Sequence, residues 1–439
     1  MEMDMDALAS TSKLPEVQNL TYITVQHDLQ AVIQDVADGT VSSESFWLSV
    51  YRESQPSLHA RVLVRAYPED EEPVELEAQD GITFRRESST SFYVACPKIG
   101  VPETLIRMPK QIHKSLMSGG IDCMSVSPDG QLYVVAGQDG AMQVRKTRDP
   151  ASPPIALQGH VGDILDCHFF PSSQVVLSTS SDLSIRVFST LDGTNPRTLR
   201  GHTAAVTGVA ILDRGRHVIS SSNDGSVKLW NIGEGKCRKT WKLSVGAQKR
   251  VTKIVVASLH SVPPDQPPAP ELEGKIAVAA LEDGSLTLID LNASPTQPIL
   301  QTIQVSPNSR AISALAFSGH SGQPLLAAGT VDGFIAVFAL SQQDWANAPI
   351  LVARLRRNRA DITSLCFITS QPPSIGSVQI LASTADGLPF QFRLDMSTKE
   401  TEATVEVEYA GYDIDACNVV LADDEGVYAA GKDGHFRRY

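Results

Sequence analysis

Three residue types that hydrolases combine lie close together in one stretch of the chain. His202, Ser222 and Asp224 could supply a general base, a nucleophile and an orienting carboxylate for acyl transfer. A catalytic serine of this kind needs an exposed strand-to-helix turn and an oxyanion hole, and no G-x-S-x-G motif surrounds Ser222. We therefore interpret these residues as a structural hydrogen-bond network, and the elements around them must explain why they lie together.

The hairpin that contains Asp224 is one of seven segments with the same pattern of strand, tight turn and strand. Six of the seven turns carry Asp-Gly, which accepts the positive φ of a two-residue hairpin, and one carries Asp-Leu. The seven turn aspartates lie 42 to 59 residues apart: Asp139, Asp182, Asp224, Asp283, Asp332, Asp386 and Asp433. An apolar strand precedes each hairpin. The period predicts an all-β fold, a seven-bladed β-propeller with four strands per blade.

We assign residues 103–439 to the propeller, and the residues before it do not share the repeated pattern of strand, turn and strand. The third strand of blade seven ends at Tyr439, so we predict that a strand near 103–110 closes the ring as the fourth strand of that blade. Residues 19–102 predict a small N-terminal domain that is α+β or mostly β, and residues 1–18 are predicted to be disordered. One helix is expected there from four apolar residues at helical spacing: Leu29, Val32, Ile33 and Val36.

Composition excludes several classes of function. The net charge of −13, from 37 Lys and Arg against 50 Asp and Glu, disfavours nucleic acid and favours basic protein partners. No apolar run approaches the roughly 20 residues that span a bilayer, and the acidic start is unlike a secretory signal. The six cysteines are unpaired in sequence and the histidines show no metal-ligand spacing. We expect no metal, no cofactor and no membrane contact.

The stretch "LRGHTAAVTGVAILDRGRHVISSSNDGSVKLW" resembles the WD-repeat family. In that family a histidine, a hydroxyl, an aspartate and a tryptophan form a hydrogen-bonded tetrad inside a blade. The resemblance implies a tetrad of His202, a hydroxyl from Ser220 or Ser222, Asp224 and Trp230, and we assign Ser222 to it. Such a buried network is stable only when every polar group has a partner.

Further motifs resemble the proteasomal ATPase-associated factor family, the WD-repeat assembly chaperones of the proteasome regulatory particle. They include "GHVGDILDCHFFPSSQVVLSTSSD", "DRGRHVIS", the terminal "GKDGHFRRY" and the N-terminal "SFWLSVYRESQPSLHARV". The resemblance implies a non-enzymatic chaperone, present in cytoplasm and nucleus, that binds the C-terminal domain of one ATPase subunit of the base. We expect a monomer. The alternative is a substrate receptor or scaffold of a ubiquitin ligase, although we find no F-box or ligase-docking motif.

Antiparallel blades place their connections on two faces of the ring. The hairpin turns between second and third strands share one face with the connections to the next blade, and we call this the turn face. The proline-rich inserts near 261–274 and 369–378 fall on the other, the insert face. We expect a basic partner to dock on the turn face through four acids and one aromatic anchor: Asp163, Glu282, Asp361, Asp413 and Tyr412.

Overall fold

The structure is a computed structural model. It describes residues 15–66, 74–149, 151–243, 249–258, 272, 274–293, 299–306, 308–319, 323–341, 348–368, 376–397, 401–413 and 415–439. The predicted disorder of residues 1–14 and most of both proline-rich inserts lie outside these residues.

The N-terminal elements form one four-stranded sheet, one helix and several further strands that belong to other sheets. They are β1 Val17–Asn19, β2 Tyr22–Val25, α1 Leu29–Ala37, β3 Ser43–Tyr51, β4 Leu58–Ala66, β5 Val74–Ala78, β6 Thr83–Arg86, β7 Ser91–Cys96, β8 Val101–Arg107 and β9 Gln111–His113. Strands β2 to β5 are antiparallel neighbours in chain order. Helix α1 buries the four predicted apolar residues against this sheet, which confirms the periodicity. The unit is α+β.

Blades one to four follow, each an antiparallel sheet in chain order. Blade one contains β10 Cys123–Val126, β11 Leu132–Ala136, β12 Met142–Lys146 and β13 Ile155–Ala156. Blade two contains β14 Ile164–Phe169, β15 Val175–Ser180, β16 Ser184–Ser189 and β17 Arg197–Arg200. Blade three contains β18 Val206–Leu212, β19 His217–Ser222, β20 Ser226–Asn231 and β21 Lys236–Lys242. Blade four contains β22 Val251–Ser258, β23 Lys275–Leu281, β24 Ser285–Asp290 and β25 Ile299–Gln304.

Blades five to seven complete the ring. Blade five contains β26 Ile312–Ser318, β27 Leu325–Thr330, β28 Phe334–Ala339 and β29 Ile350–Arg356. Blade six contains β30 Ile362–Ile368, β31 Ser377–Thr384, β32 Phe390–Asp395 and β33 Glu402–Tyr409. Blade seven contains β34 Cys417–Asp423, β35 Gly426–Gly431 and β36 Phe436–Arg438. Each first strand packs against the next, and β34 packs against β10, so the seven blades form a closed ring.

The strand that completes blade seven differs from the predicted one. It is β9, whose residues Gln111 and His113 pair with Arg438 and Phe436 in antiparallel register. The predicted segment at 103–110 was wrong by a few residues, because most of it belongs to β8. That strand buries Ile106 in the N-terminal core and pairs with β33 of blade six in parallel register. It also runs across the predicted domain boundary after residue 102.

Two N-terminal segments extend the blades at their outer edges. Strand β1 pairs in parallel with β29 of blade five, and β6, β7 and β8 extend the sheet of blade six to seven strands. Residues Val17 and Gln18 are therefore a strand rather than the disordered segment we predicted. Added backbone hydrogen bonds satisfy edge groups that would otherwise face solvent.

Neighbouring blades are joined by side chains at or beside a bulge near the start of the first strand in blades two to seven. The extra residue that a bulge inserts points out of the ladder, so its side chain can reach the next blade. Five such residues donate to a backbone carbonyl of the following blade at 2.5 to 2.8 Å: Thr207, Thr252, Ser313, Thr363 and Asn418. In blade two the bulged residue is Leu165, and the adjacent Asp166 carboxylate accepts from the Val209 N–H at 3.0 Å instead.

Candidate functional site

The four polar groups of the tetrad meet inside blade three. His202 Nδ1 lies 2.8 Å from Asp224 Oδ2, and His202 Nε2 lies 2.8 Å from Ser220 Oγ. The Trp230 indole N–H donates to the same Ser220 oxygen at 2.8 Å. Because an indole only donates, the Ser220 hydroxyl is free to donate its proton to His202 Nε2, which assigns the ring proton to Nδ1. Every member then has a partner.

The hydroxyl in this network is Ser220, so the assignment of Ser222 was wrong. Ser222 is the last residue of β19, and its oxygen accepts from the Asp224 N–H and donates to the Ala204 carbonyl, both at 3.0 Å. It caps the turn by the local side-chain to backbone bond that serines favour. Ser220 lies one pleat period earlier on the same face, under the far nitrogen of the imidazole.

Burial separates this constellation from a hydrolase site. Ser220 is fully buried and His202 is 6% exposed. Both ring nitrogens of His202 are engaged, Nδ1 by Asp224 and Nε2 by Ser220, so neither is open to a substrate. Although burial would raise the pKa of Asp224, the hydrogen bonds from His202 and Ser226 hold it well below its usual range. The arrangement therefore fixes the turn to the connection that carries His202.

Blade two repeats the network with one substitution. His160 Nδ1 lies 2.9 Å from Asp182 and His160 Nε2 lies 2.9 Å from Ser178, the arrangement that His202 has in blade three. Phe188 replaces the tryptophan, and its ring contacts the imidazole edge-on at 6.0 Å between centroids. Burial raises the pKa of Asp182, but bonds from Ser184 and His160 lower it to about 2. Burial lowers the pKa of His160.

Three other turn aspartates are held by residues that the sequence did not reveal. Lys249 Nζ lies 2.5 Å from Asp283 Oδ2, and the Asn358 amide donates to Asp386 at 2.7 Å. The Arg437 guanidinium bonds Asp433. Each of these donors bonds a turn aspartate as His160 and His202 do. None of them belongs to a Gly-His motif, so only the contact in the structure identifies them.

The structure places the predicted turn-face acids in different surroundings. Asp163 is exposed, and its carboxylate accepts from the Asp139 N–H at 3.0 Å. Glu282 is exposed and accepts from the Arg250 N–H at 3.0 Å, while the Arg250 side chain lies 3.7 Å away. Asp413 is exposed as well. Arg250 reduces the negative field around Glu282.

Two of the predicted docking residues are withdrawn from solvent. Asp361 is half-buried, and burial raises the pKa of its carboxyl. Tyr412 is only 5% exposed and lies under the Arg437 guanidinium, 3.8 Å from ring centroid to the central carbon. It packs with Tyr409 and Tyr439 between blades six and seven. Tyr412 is therefore a core residue, because burying its ring gains more than exposing it, and the prediction of an accessible anchor was wrong.

The N-terminal domain lies beside the turn face. His27 Nδ1 is 3.6 Å from Asp413 Oδ1. The domain also contacts a buried ion pair of the propeller, in which Arg357 lies 2.9 Å from Glu408. The Glu408 carboxylate accepts from the Ile23 N–H of β2 at 3.2 Å. Burial raises the pKa of Glu408 to about 7, against the lowering effect of Arg357. The Arg357 guanidinium stacks between the Tyr22 and Phe390 rings, 4.9 and 4.4 Å from their centroids.

Within the described ranges, no group of three or more His, Cys, Asp or Glu side chains could hold a metal ion. No helix in those ranges has the length and apolar character needed to cross a membrane.

Comparison with known proteins gives matches over parts of the chain. The family model described as WD domain, G-beta repeat matches residues 152–189 and 193–231, which lie in and around blades two and three. The 26S proteasome regulatory subunit RPN14 of Saccharomyces cerevisiae is 26% identical over 200 residues, 45% of each chain. Human Proteasomal ATPase-associated factor 1 is 29% identical over 126 residues, 29% of this chain and 31% of that protein.

Relatives with other names match similar lengths. Autophagy-related protein 16 of Arabidopsis thaliana is 27% identical over 184 residues, 42% of this chain and 34% of that protein. All of these matches span less than half the length of the relatives concerned. The repeats and the closed ring of four-stranded sheets together establish the fold of this chain as a WD-repeat β-propeller.

Proposed function

We propose that this protein is a non-enzymatic assembly chaperone of the proteasome regulatory-particle base and binds the C-terminal domain of one ATPase subunit. The observation that carries the proposal is the pair of relatives whose names refer to the proteasome, at 26% and 29% identity. We further propose that the chain acts as a monomer in the cytoplasm and nucleus. Its tetrads are buried scaffold, which fits a binding role better than catalysis.

The proposed docking surface is the turn face, revised by the structure. Asp163, Glu282 and Asp413 are the exposed members of the predicted set, while Asp361 and Tyr412 contribute to packing. Carboxylates spread over blades two, four and seven present separate negative charges to a basic domain. Such charges mainly accelerate capture and select the partner, and they add less to the final affinity.

The N-terminal domain supports this choice of face. Its His27 reaches Asp413, and the Arg357–Glu408 pair ties β2 to the connection that leads into blade six. A partner on the turn face would therefore meet a surface whose geometry is fixed by both parts of the chain.

The second candidate is a substrate receptor or scaffold of a ubiquitin ligase. WD-repeat propellers serve many unrelated partners, so the fold alone does not decide between the two. Affinity purification of the tagged chain from cells, followed by identification of the recovered proteins, separates them. Proteasome ATPase subunits recovered without the mature core particle support the chaperone, whereas cullin adaptors recovered without ATPase subunits would contradict it.

A further inference from the structure

The charge of the chain is distributed unevenly, and one region is basic although the chain as a whole is acidic. Residues 197–250 contain eleven Lys and Arg against three Asp and Glu, within a chain whose net charge is −13. They cover the outer strand of blade two, all of blade three and the connection to blade four. Several of these cations lie on β21, where Lys236, Arg238 and Lys242 are exposed.

Strand β21 is also an open edge. It pairs with β20 on one side, and no other strand of the described residues pairs with its second side. Lysines on open edges often only prevent strands of different molecules from pairing. Two of the other outer strands, β29 and β33, show that this chain also uses such edges to add a strand.

The outer strands of blades five and six each carry an added parallel strand shortly after a bulge. In β29 the residue opposite Phe338 is Leu351, then one residue is bulged, and β1 pairs with Arg354 to Arg356. In β33 the residue opposite Phe392 is Val405, then one residue is bulged, and β8 pairs with Val407 to Tyr409. In both blades the added strand begins within two residues after the bulge, so the bulge is compatible with strand addition. It does not require it, because β25 of blade four has the same bulge at Leu300 and pairs with no added strand among the described residues.

Blade three has the same bulge but no added strand. The residue opposite Trp230 is Cys237, then Arg238 is bulged, and the ladder resumes at Lys239 opposite Leu229. By position, Thr240 to Lys242 corresponds to the segment that pairs with β1. Trp241 is fully buried, so Thr240 and Lys242 share the opposite face of the strand.

We propose that this edge of blade three binds an extended acidic peptide, which adds to β21 as a parallel fifth strand. Strand addition supplies backbone hydrogen bonds, and side chains at alternate positions supply specificity. Lys228 lies opposite Thr240 and its Nζ already reaches the Thr240 hydroxyl at 3.1 Å. A peptide with acidic residues two positions apart would place one carboxylate beside Thr240, near the Lys228 ammonium group. The other carboxylate would lie beside Lys242. The matching motif is acid, any residue, acid.

The proposed site is the lateral edge of blade three, at the end of β21 where Lys242 pairs with Ser226 beside the hairpin turn. It includes none of the acids of the proposed docking surface, so the inference does not rest on the proposed function. The test uses the purified full chain and a fluorescein-labelled peptide with the central sequence Ser-Glu-Val-Glu-Ser, followed by anisotropy at low and moderate salt. We expect saturable binding that Lys242→Glu weakens at least about tenfold, since reversal replaces attraction by repulsion. Lys236→Glu is the matched control on the same strand before the bulge, and we expect it to change binding less than about threefold.

Two further probes separate strand addition from simple attraction of negative charge. A peptide N-methylated at the amides of the central valine and the following glutamate keeps its charge but loses two successive N–H donors, one of which would face β21, and we expect its binding to be lost. A single-stranded oligonucleotide of equal charge should not compete. Absence of binding by the parent peptide, unchanged binding of the methylated peptide, or displacement by the oligonucleotide at equal concentration would each overturn the proposal.

Discussion

The Ser220 hydroxyl and the Trp230 indole of blade three are joined by a hydrogen bond of 2.8 Å, and the same oxygen contacts His202 at 2.8 Å. This bond identifies the serine of the tetrad. Ser220→Ala should remove the hydrogen-exchange protection of the Trp230 indole proton and destabilise the fold by about 1–3 kcal/mol. The measurement is NMR of the indole resonances. Ser222→Ala should leave that proton protected, and loss of its protection in Ser222→Ala alone would refute the assignment.

The buried turn aspartates predict an acid-dependent loss of stability. The pKa of Asp182 is lowered to about 2 in the folded chain, while an aspartate in an unfolded chain has a pKa of about 3.9. Its stabilisation is therefore complete above the unfolded value and is lost as the pH falls toward about 2. Asp182→Asn should unfold at lower urea at neutral pH and show a shallower decline between pH 4 and 2. Urea midpoints across this pH range check it, and parallel curves for the two proteins would contradict it.

The Arg357–Glu408 pair predicts strong coupling between the N-terminal domain and blade six. Without Arg357, the Glu408 carboxyl must either stay charged in the core without its counter-ion or take up a proton, because burial already raises its pKa. Arg357→Met should therefore lower the free energy of unfolding by about 3–5 kcal/mol. The double variant Arg357→Met with Glu408→Gln should cost less than the sum of the single variants. A double-mutant cycle from urea unfolding measures this coupling. Additive costs would show that the two side chains act independently.

The bulge contacts predict that single hydroxyls stabilise the junctions between blades. Thr363 donates to the Cys417 carbonyl at 2.5 Å and contacts Ser383. Thr363→Val keeps the shape of the side chain but leaves those groups unpaired, at a cost of about 1–3 kcal/mol. Thr24→Val in the N-terminal sheet is the matched control and should cost less than about 0.5 kcal/mol. Equal thermal stabilities of the two variants would show that these contacts are dispensable.

The sequence predicted what depends on local patterns and missed what depends on contacts between distant residues. Asp-Gly turns and apolar strands report backbone preferences, so the seven blades and helix α1 could be inferred. The choice between Ser220 and Ser222 could not, because both lie on the same face of β19. Lys249, Asn358 and Arg437 replace histidine without a common spacing. Tyr412 precedes a first strand, but its burial depends on packing between two blades.

The turn face predicts a charge effect that is confined to one side of the ring. Asp163→Lys with Glu282→Lys should weaken capture of a basic partner and reduce its salt dependence, because two attractive charges become repulsive. Asp424→Lys is the matched control, since Asp424 is exposed in the hairpin between the first and second strands of blade seven, on the insert face. Association rates from surface plasmon resonance compare the variants. Equal slowing by the control would move the site away from the turn face.

Direct binding to the ATPase subunits of the proteasome base decides the proposed function. The purified full chain is titrated by calorimetry against the isolated C-terminal domain of each ATPase subunit in turn. We predict one-to-one binding to one of these domains, weakened at least about tenfold by Asp163→Lys with Glu282→Lys and unchanged by Asp424→Lys. The absence of heat with every domain, under conditions where the chain is folded, would contradict a role as chaperone of the proteasome base.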